Sequence, residues 1–118
     1  MEGLYVPAWH ECRELQARPL EVALDAVVQE VMRFPRAEIV SATENPVAGL
    51  VLVPSEDMHV GPCATVMWAY VKPAARQQGW YRRLFLEAMK QARGWRLPYM
   101  MYSHRVSEGV YLNRYKRI

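Results

Sequence analysis

The stretch VKPAARQQGWYRRL, residues 71–84, decides how this chain folds. It starts on the last residue of CATVMWAYV (residues 63–71), a run rich in aromatic and β-branched residues that reads as a strand. It breaks at Pro73, crosses a loop holding Arg76, Gln77, Gln78 and Gly79, and enters a helical pattern at once. From Trp80 to Arg93, Tyr81, Leu84, Phe85, Ala88 and Ala92 fall on one face of a helix, while Arg82, Arg83, Glu87 and Lys90 lie mostly on the other. The stripe is expected to turn Tyr81 toward the core, and Gly94 suits a C-terminal cap. A loop entering a helix presents backbone N–H groups with no partner inside it, and the helix dipole adds partial positive charge. Gly79 lets an anion approach the backbone without meeting a Cβ, and Arg76 adds a cation. This chemistry suits a pyrophosphate.

Working outward, GLYVPAW (3–9) reads as a short first strand that Pro7 ends or bends. PLEVALDAVVQEVMRF (19–34) reads as a helix, with Pro19 in its first turn and Pro35 as its stop. AEIVSATE (37–44) and VAGLVLVP (47–54) read as strands joined by a turn at Asn45-Pro46, and SEDMHVGP (55–62) as a polar loop. On the other side, PYMMYSH (98–104) reads as a strong strand and SEGVYLNRYKRI (107–118) as a final short helix. The predicted order is strand, helix, three antiparallel strands, helix, strand, helix: a mixed α/β or α+β layout in one domain, residues 1–118. The strands on either side of the 80–93 helix are expected to be parallel neighbours.

Composition narrows the function classes. The 118 residues, 52% hydrophobic and 23% charged, are those of a globular domain, and two cysteines are too few for a disulfide framework. No basic-then-apolar leader and no apolar run of roughly 18 residues is present, so a soluble, cytoplasmic protein without membrane attachment is expected. The net charge of +3 hides an asymmetry. Residues 1–71 hold four basic and ten acidic residues; residues 72–118 hold eleven basic and two acidic. The second part should attract polyanions, either a phosphorylated cofactor or nucleic acid. No nucleic-acid-binding motif is present, and that reading ranks last. His59 with Cys63, or His10 with Cys12, lacks the paired spacing of a zinc site, and no metal is expected.

The segment YVKPAARQQGWYRRLFLEAMKQA resembles the acyl-CoA-binding segment of the GNAT superfamily of N-acetyltransferases, V-x-P-x-x-R-x-x-G-x-(G/A)-x-x-L. Val71, Pro73, Arg76, Gly79 and Leu84 match it in register. The resemblance covers about residues 36–118. It implies a GNAT-like, mostly antiparallel sheet flanked by helices and lacking the family's last two strands. It implies acetyl-CoA as cofactor, held by Tyr70, Val71, Arg76, Gln77, Gln78, Gly79, Trp80 and Tyr81, and an amine or protein acceptor that attacks the thioester directly. RYKRI resembles the family's tyrosine segment and places Tyr115 as general acid. The strand at 63–71 carries no acidic residue, which leaves His104 as the candidate base. Small members of this kind occur in bacterial and phage genomes, and a second reading stays open: a catalytically degenerate binding or regulatory protein that recognises a host or partner protein. The strand at 98–104 would lie uncovered at a sheet edge, so a homodimer is expected.

Overall fold

The chain runs α1 (Glu2–Glu11), α2 (Leu20–Met32), β1 (Ala37–Val40), β2 (Ala48–Asp57), β3 (Gly61–Val71), α3 (Trp80–Gly94), β4 (Tyr99–Ser107) and β5 (Val110–Arg117) in a computed structural model that describes residues 2–118. The five strands form one sheet in the order β1-β2-β3-β4-β5. Every neighbouring pair is antiparallel except β3–β4, which the crossover through α3 makes parallel. The mixed, mostly antiparallel sheet flanked by helices is the layout expected from the sequence.

Three local expectations are corrected. The 3–9 segment is not a strand but the body of α1. Leu4 and Ala8, one helical turn apart, are buried beside Tyr5, and packing on β3 outweighs the strand-like composition. Pro7 sits in the middle of the helix, where its missing N–H removes one bond of the i to i−4 ladder. The 107–118 segment is not a helix but β5. Gly109, at φ +76°, closes a two-residue turn between Ser107 and Val110, and β5 then pairs along β4. As a result β4 is not a sheet edge; β5 is. Finally, the polar stretch 55–62 is mostly strand. β2 continues to Asp57, whose carboxylate accepts the His59 and Val60 N–H groups at 2.7 and 3.2 Å and fixes the turn.

One face of the sheet carries α3. Leu84, Ala88 and Ala92 recur every fourth residue and bury against Leu50, Leu52, Ala64 and Met100. Truncating Leu84 to alanine in such a cluster costs about 2–5 kcal/mol. The opposite face carries α1, whose Leu4 and Ala8 pack on Tyr70 and Trp68. No helix among the described residues is long and apolar enough to cross a membrane.

The feature that positions the site is a fault in the sheet. β3 pairs with β4 only at Ala64–Met100 and Thr65–Met101. Immediately afterwards β3 bulges: Val66 faces Leu52 and Trp68 faces Val51, so Met67 has no partner on β2. A bulge bends and twists its strand. β3 therefore leaves β4, which continues beside β5 instead.

Candidate functional site

The splay opens a cleft of about 700 Å³. One wall is β3 from Val66 to Tyr70, the other β4 from Tyr102 to Arg105; Glu11 at the end of α1 and Cys12 just after it close one side, and Tyr81 and Phe85 of α3 another. A volume of this size lies within the range of small-ligand sites.

The N-terminus of α3 stands at this cleft. Gly79 precedes the helix at φ +78°, ψ +15°, a left-handed conformation that costs a residue with a Cβ about 1–2 kcal/mol. Gln77 is also left-handed, at φ +69°. A Cβ built on Gly79 meets nothing within 4 Å, so the space above the loop is open. No side chain caps α3, which leaves its first-turn N–H groups available to an anion.

Arg76 does not point its charge freely at that space. Its guanidinium donates to both carboxylate oxygens of Glu11, at 2.6 and 2.8 Å, and to the Val71 carbonyl at 3.0 Å. The Tyr70 hydroxyl donates to the same carboxylate at 2.8 Å. Partial burial pushes the Glu11 carboxyl up, but the bonds from Arg76 and Tyr70 outweigh it and hold Glu11 below the usual range. Burial first, then the Glu11 carboxylate, pushes the Tyr70 phenol up to about 12. At neutral pH Glu11 is ionised and Tyr70 is a proton donor. Arg76 thus folds the 72–79 loop back onto α1 and β3.

A second carboxylate ties down the far rim. Glu14 accepts from the Cys12 thiol at 2.8 Å, from Arg105 at 3.1 Å and from the Gly109 N–H at 2.7 Å. The Cys12 bond first, then Arg105, holds its carboxyl down at about 2. The β4–β5 hairpin is thereby latched to the segment after α1.

Of the residues expected to hold a cofactor, Tyr70, Arg76 and Tyr81 line the cleft. Gln77, Gln78 and Gly79 form the loop before α3. Val71 is buried, with its carbonyl on Arg76, and Trp80 packs against the α3-side core under the Arg83 guanidinium, 4.6 Å from its ring. Tyr81 does not follow the stripe into the core; it is 44% exposed. The helical stripe has its centre on Leu84 and Ala88, and Tyr81 lies at its margin, one turn earlier.

His104 lies on the β4 wall of the cleft. Tyr115 does not join it. Tyr115 faces Met101, and its hydroxyl donates to Asp57 at 3.0 Å and lies 3.2 Å from His59 Nδ1, beside the β2–β3 turn. Trp68, which alternates along β3 with Tyr70 and reads from the sequence as core or cleft lining, lines the cleft, and so do Glu11, Tyr102, Arg105 and Tyr111, which the sequence reading did not single out. Glu11 had a legible signal, because Ala8 and Glu11 share one helical face once 2–11 is read as a helix. No group of three or more His, Cys, Asp or Glu suited to a metal is found among the described residues.

No protein-family model matches the chain, and no curated protein matches it by sequence. Solved structures do match by shape. The aminoglycoside N-acetyltransferase AAC(6')-Iy, in complex with the bisubstrate analogue CoA-S-monomethyl-acetylneamine, superposes at a TM-score of 0.61 with 16% identity, over 84% of this chain and 72% of that one. An acetyltransferase from Trypanosoma brucei gives 0.57 and 18%, over 76% and 68%. A putative GNAT-family acetyltransferase from Desulfovibrio desulfuricans gives 0.56 and 15%, over 71% and 54%. By this match in shape, the chain has the fold of the GNAT acetyltransferases.

Proposed function

We propose that the protein is an acyl-CoA-dependent N-acetyltransferase that moves an acetyl group from acetyl-CoA to an amine. The observation that carries this reading is the splayed β3–β4 cleft opening beside the uncapped N-terminus of α3. The residues present fit the cofactor. The loop from Gln77 to Gly79 and the first-turn N–H groups of α3 would take the pyrophosphate, in the open space above Gly79. The β3 backbone between Val66 and Val71 would hold the pantetheine arm in the gap that β4 has left. AAC(6')-Iy, which shares the fold, is seen with CoA and with a CoA bisubstrate analogue, and that supports the choice.

The transfer needs little from side chains. The amine lone pair attacks the thioester carbonyl carbon; the C–N bond forms, the C–S bond breaks, and the thiolate leaves. We assign the amine's proton to His104, which lines the β4 wall of the cleft, directly or through water. An ordinary thiol has a pKa of about 8.5, so the leaving thiolate is protonated by water at pH 7 without an acidic residue. A bulged strand and a preset loop supply position rather than reactive groups.

One observation favours the second reading, a degenerate binding or regulatory protein: Glu11, the carboxylate among the described cleft-lining residues, is neutralised by Arg76. Thermal unfolding with CoA decides whether the cleft is used. Ligand at 100 times its dissociation constant should stabilise the fold by about 2.7 kcal/mol. Gly79→Glu should abolish the shift, since it puts a side chain and a negative charge on the phosphate path. No shift at millimolar CoA would overturn the acetyltransferase reading. A CoA shift without acetylation across an amine panel would select the second.

A further inference from the structure

Trp68 belongs to two cavities. On one side it walls the β3–β4 cleft; on the other it ends a cavity of about 470 Å³ between α2 and the outer strands. The floor of that second cavity is one row across the sheet. Glu38 on β1 faces Val51 on β2, and Val51 faces Trp68 on β3. Two strand spacings make the row roughly 10 Å long. The roof is α2, which sets Leu24, Val27, Val28 and Val31 over the cavity at helical spacing. All four remain partly exposed, and on α2 only Ala23 is buried.

An apolar stripe over a void is unusual, because protein interiors hold few voids larger than a water molecule. The volume lies within the range of small-molecule sites. The two ends differ. The Trp68 end is aromatic, with the Tyr5 ring 6.4 Å away, and adjoins the cleft. The far end carries Arg36 and Glu38, bonded to each other at 3.0 Å, so neither charge calls for a ligand charge.

We propose that this cavity holds the apolar body of the acceptor, with its amino group passing Trp68 into the cleft. The proposal rests on the acetyltransferase reading above and deepens it. The acceptor class is a primary amine on an aliphatic chain or aromatic ring up to roughly 10 Å long, the length of the floor. An amino sugar is disfavoured, because its hydroxyls would lose water against an aliphatic roof that returns no hydrogen bonds. The bond changes at the amine are those already given.

Calorimetric titration of 2-phenylethylamine and of ethanolamine into the CoA-saturated protein reads the cavity without turnover. Phenylethylamine should bind at least tenfold more tightly. Val28→Trp, which fills the cavity from its roof, should remove that preference and leave the CoA melting shift unchanged. Wild-type NMR needs no variant: at saturation, Overhauser contacts should link the phenyl protons to the methyl groups of Val27, Val28 or Val31. Equal affinity for the two amines, or absence of those contacts, overturns the proposal. So does a Val28→Trp effect on hexanoyl-CoA that spares phenylethylamine, since the cavity would then serve the acyl chain. Loss of the CoA shift in the wild type strikes the acetyltransferase reading instead, and titration without CoA keeps the two failures apart.

Discussion

The Arg76 guanidinium is already committed before any anion arrives. Its bidentate grip on Glu11 joins residues 65 positions apart and sets the loop that precedes α3. Both side chains are more than one third exposed, so solvent screens the pair and its net worth is about 1 kcal/mol. A double-mutant cycle of Glu11→Gln and Arg76→Met should return a coupling of that size at low salt, shrinking as salt is added. Coupling that ignores salt would point to packing instead of charge. Glu11→Gln should also lower the Tyr70 phenol from about 12, since it removes the carboxylate that the hydroxyl faces. Tyr115 illustrates the reverse case. Its phenol is pushed up by burial first and by Asp57 second, and it serves the β2–β3 turn. Tyr115→Phe should therefore leave turnover within about twofold, whereas a general acid would be worth about 10²–10⁴-fold. Steady-state rates of the two proteins decide it. Nothing in the sequence separates these roles, because a tyrosine set among the basic residues Arg114, Lys116 and Arg117 reads the same on a helix facing a cleft and on a strand facing away from one.

At the far rim of the cleft a second latch holds elements together. Glu14 gathers the Cys12 thiol, Arg105 and the Gly109 N–H, and so fastens the β4–β5 hairpin to the chain after α1. Its carboxyl titrates at about 2 in the fold against an ordinary 4.5. The lowered value means the contribution is complete above pH 4.5 and disappears as pH falls toward 2. An acid titration followed by hairpin NMR signals should show the hairpin loosening in that window, and Glu14→Gln should loosen it at neutral pH. A hairpin unchanged in both would sink the latch. The latch also explains what the sequence concealed. α3 and the strands around it were legible, because a long 3.6-residue stripe and two alternating runs admit one reading. α1 spans barely three turns and contains a proline, and its helical form depends on packing against β3. In β5, Val110, Tyr111 and Tyr115 satisfy helical spacing as well as strand spacing, and only Gly109, at the second position of a two-residue turn, breaks the tie.

Across the whole molecule the charge asymmetry falls on structure. The strongly basic residues 72–118 include the outer edge strand β5, with Arg114, Lys116 and Arg117. An unpaired edge invites a second copy, and basic side chains along it oppose one. If copies pair through β5 about a two-fold axis, like charges meet, so the dimer fraction in light scattering should rise with ionic strength; a fall would exclude this edge. The crossover, the parallel pair and the loop before α3 could be read from the sequence because each rests on runs of many residues. The cleft could not, because it depends on a single unmatched residue, Met67. That fault has a consequence for what genetics can see. Beyond Thr65, the main-chain groups of β3 that face β4 have no neighbouring strand. An extended guest lying there would be gripped by amides and carbonyls that every amino acid carries. Exchanging the side chains of Val66 to Tyr70 one at a time would leave that grip in place, so a deep mutational scan would pass over the part of the wall that holds most firmly.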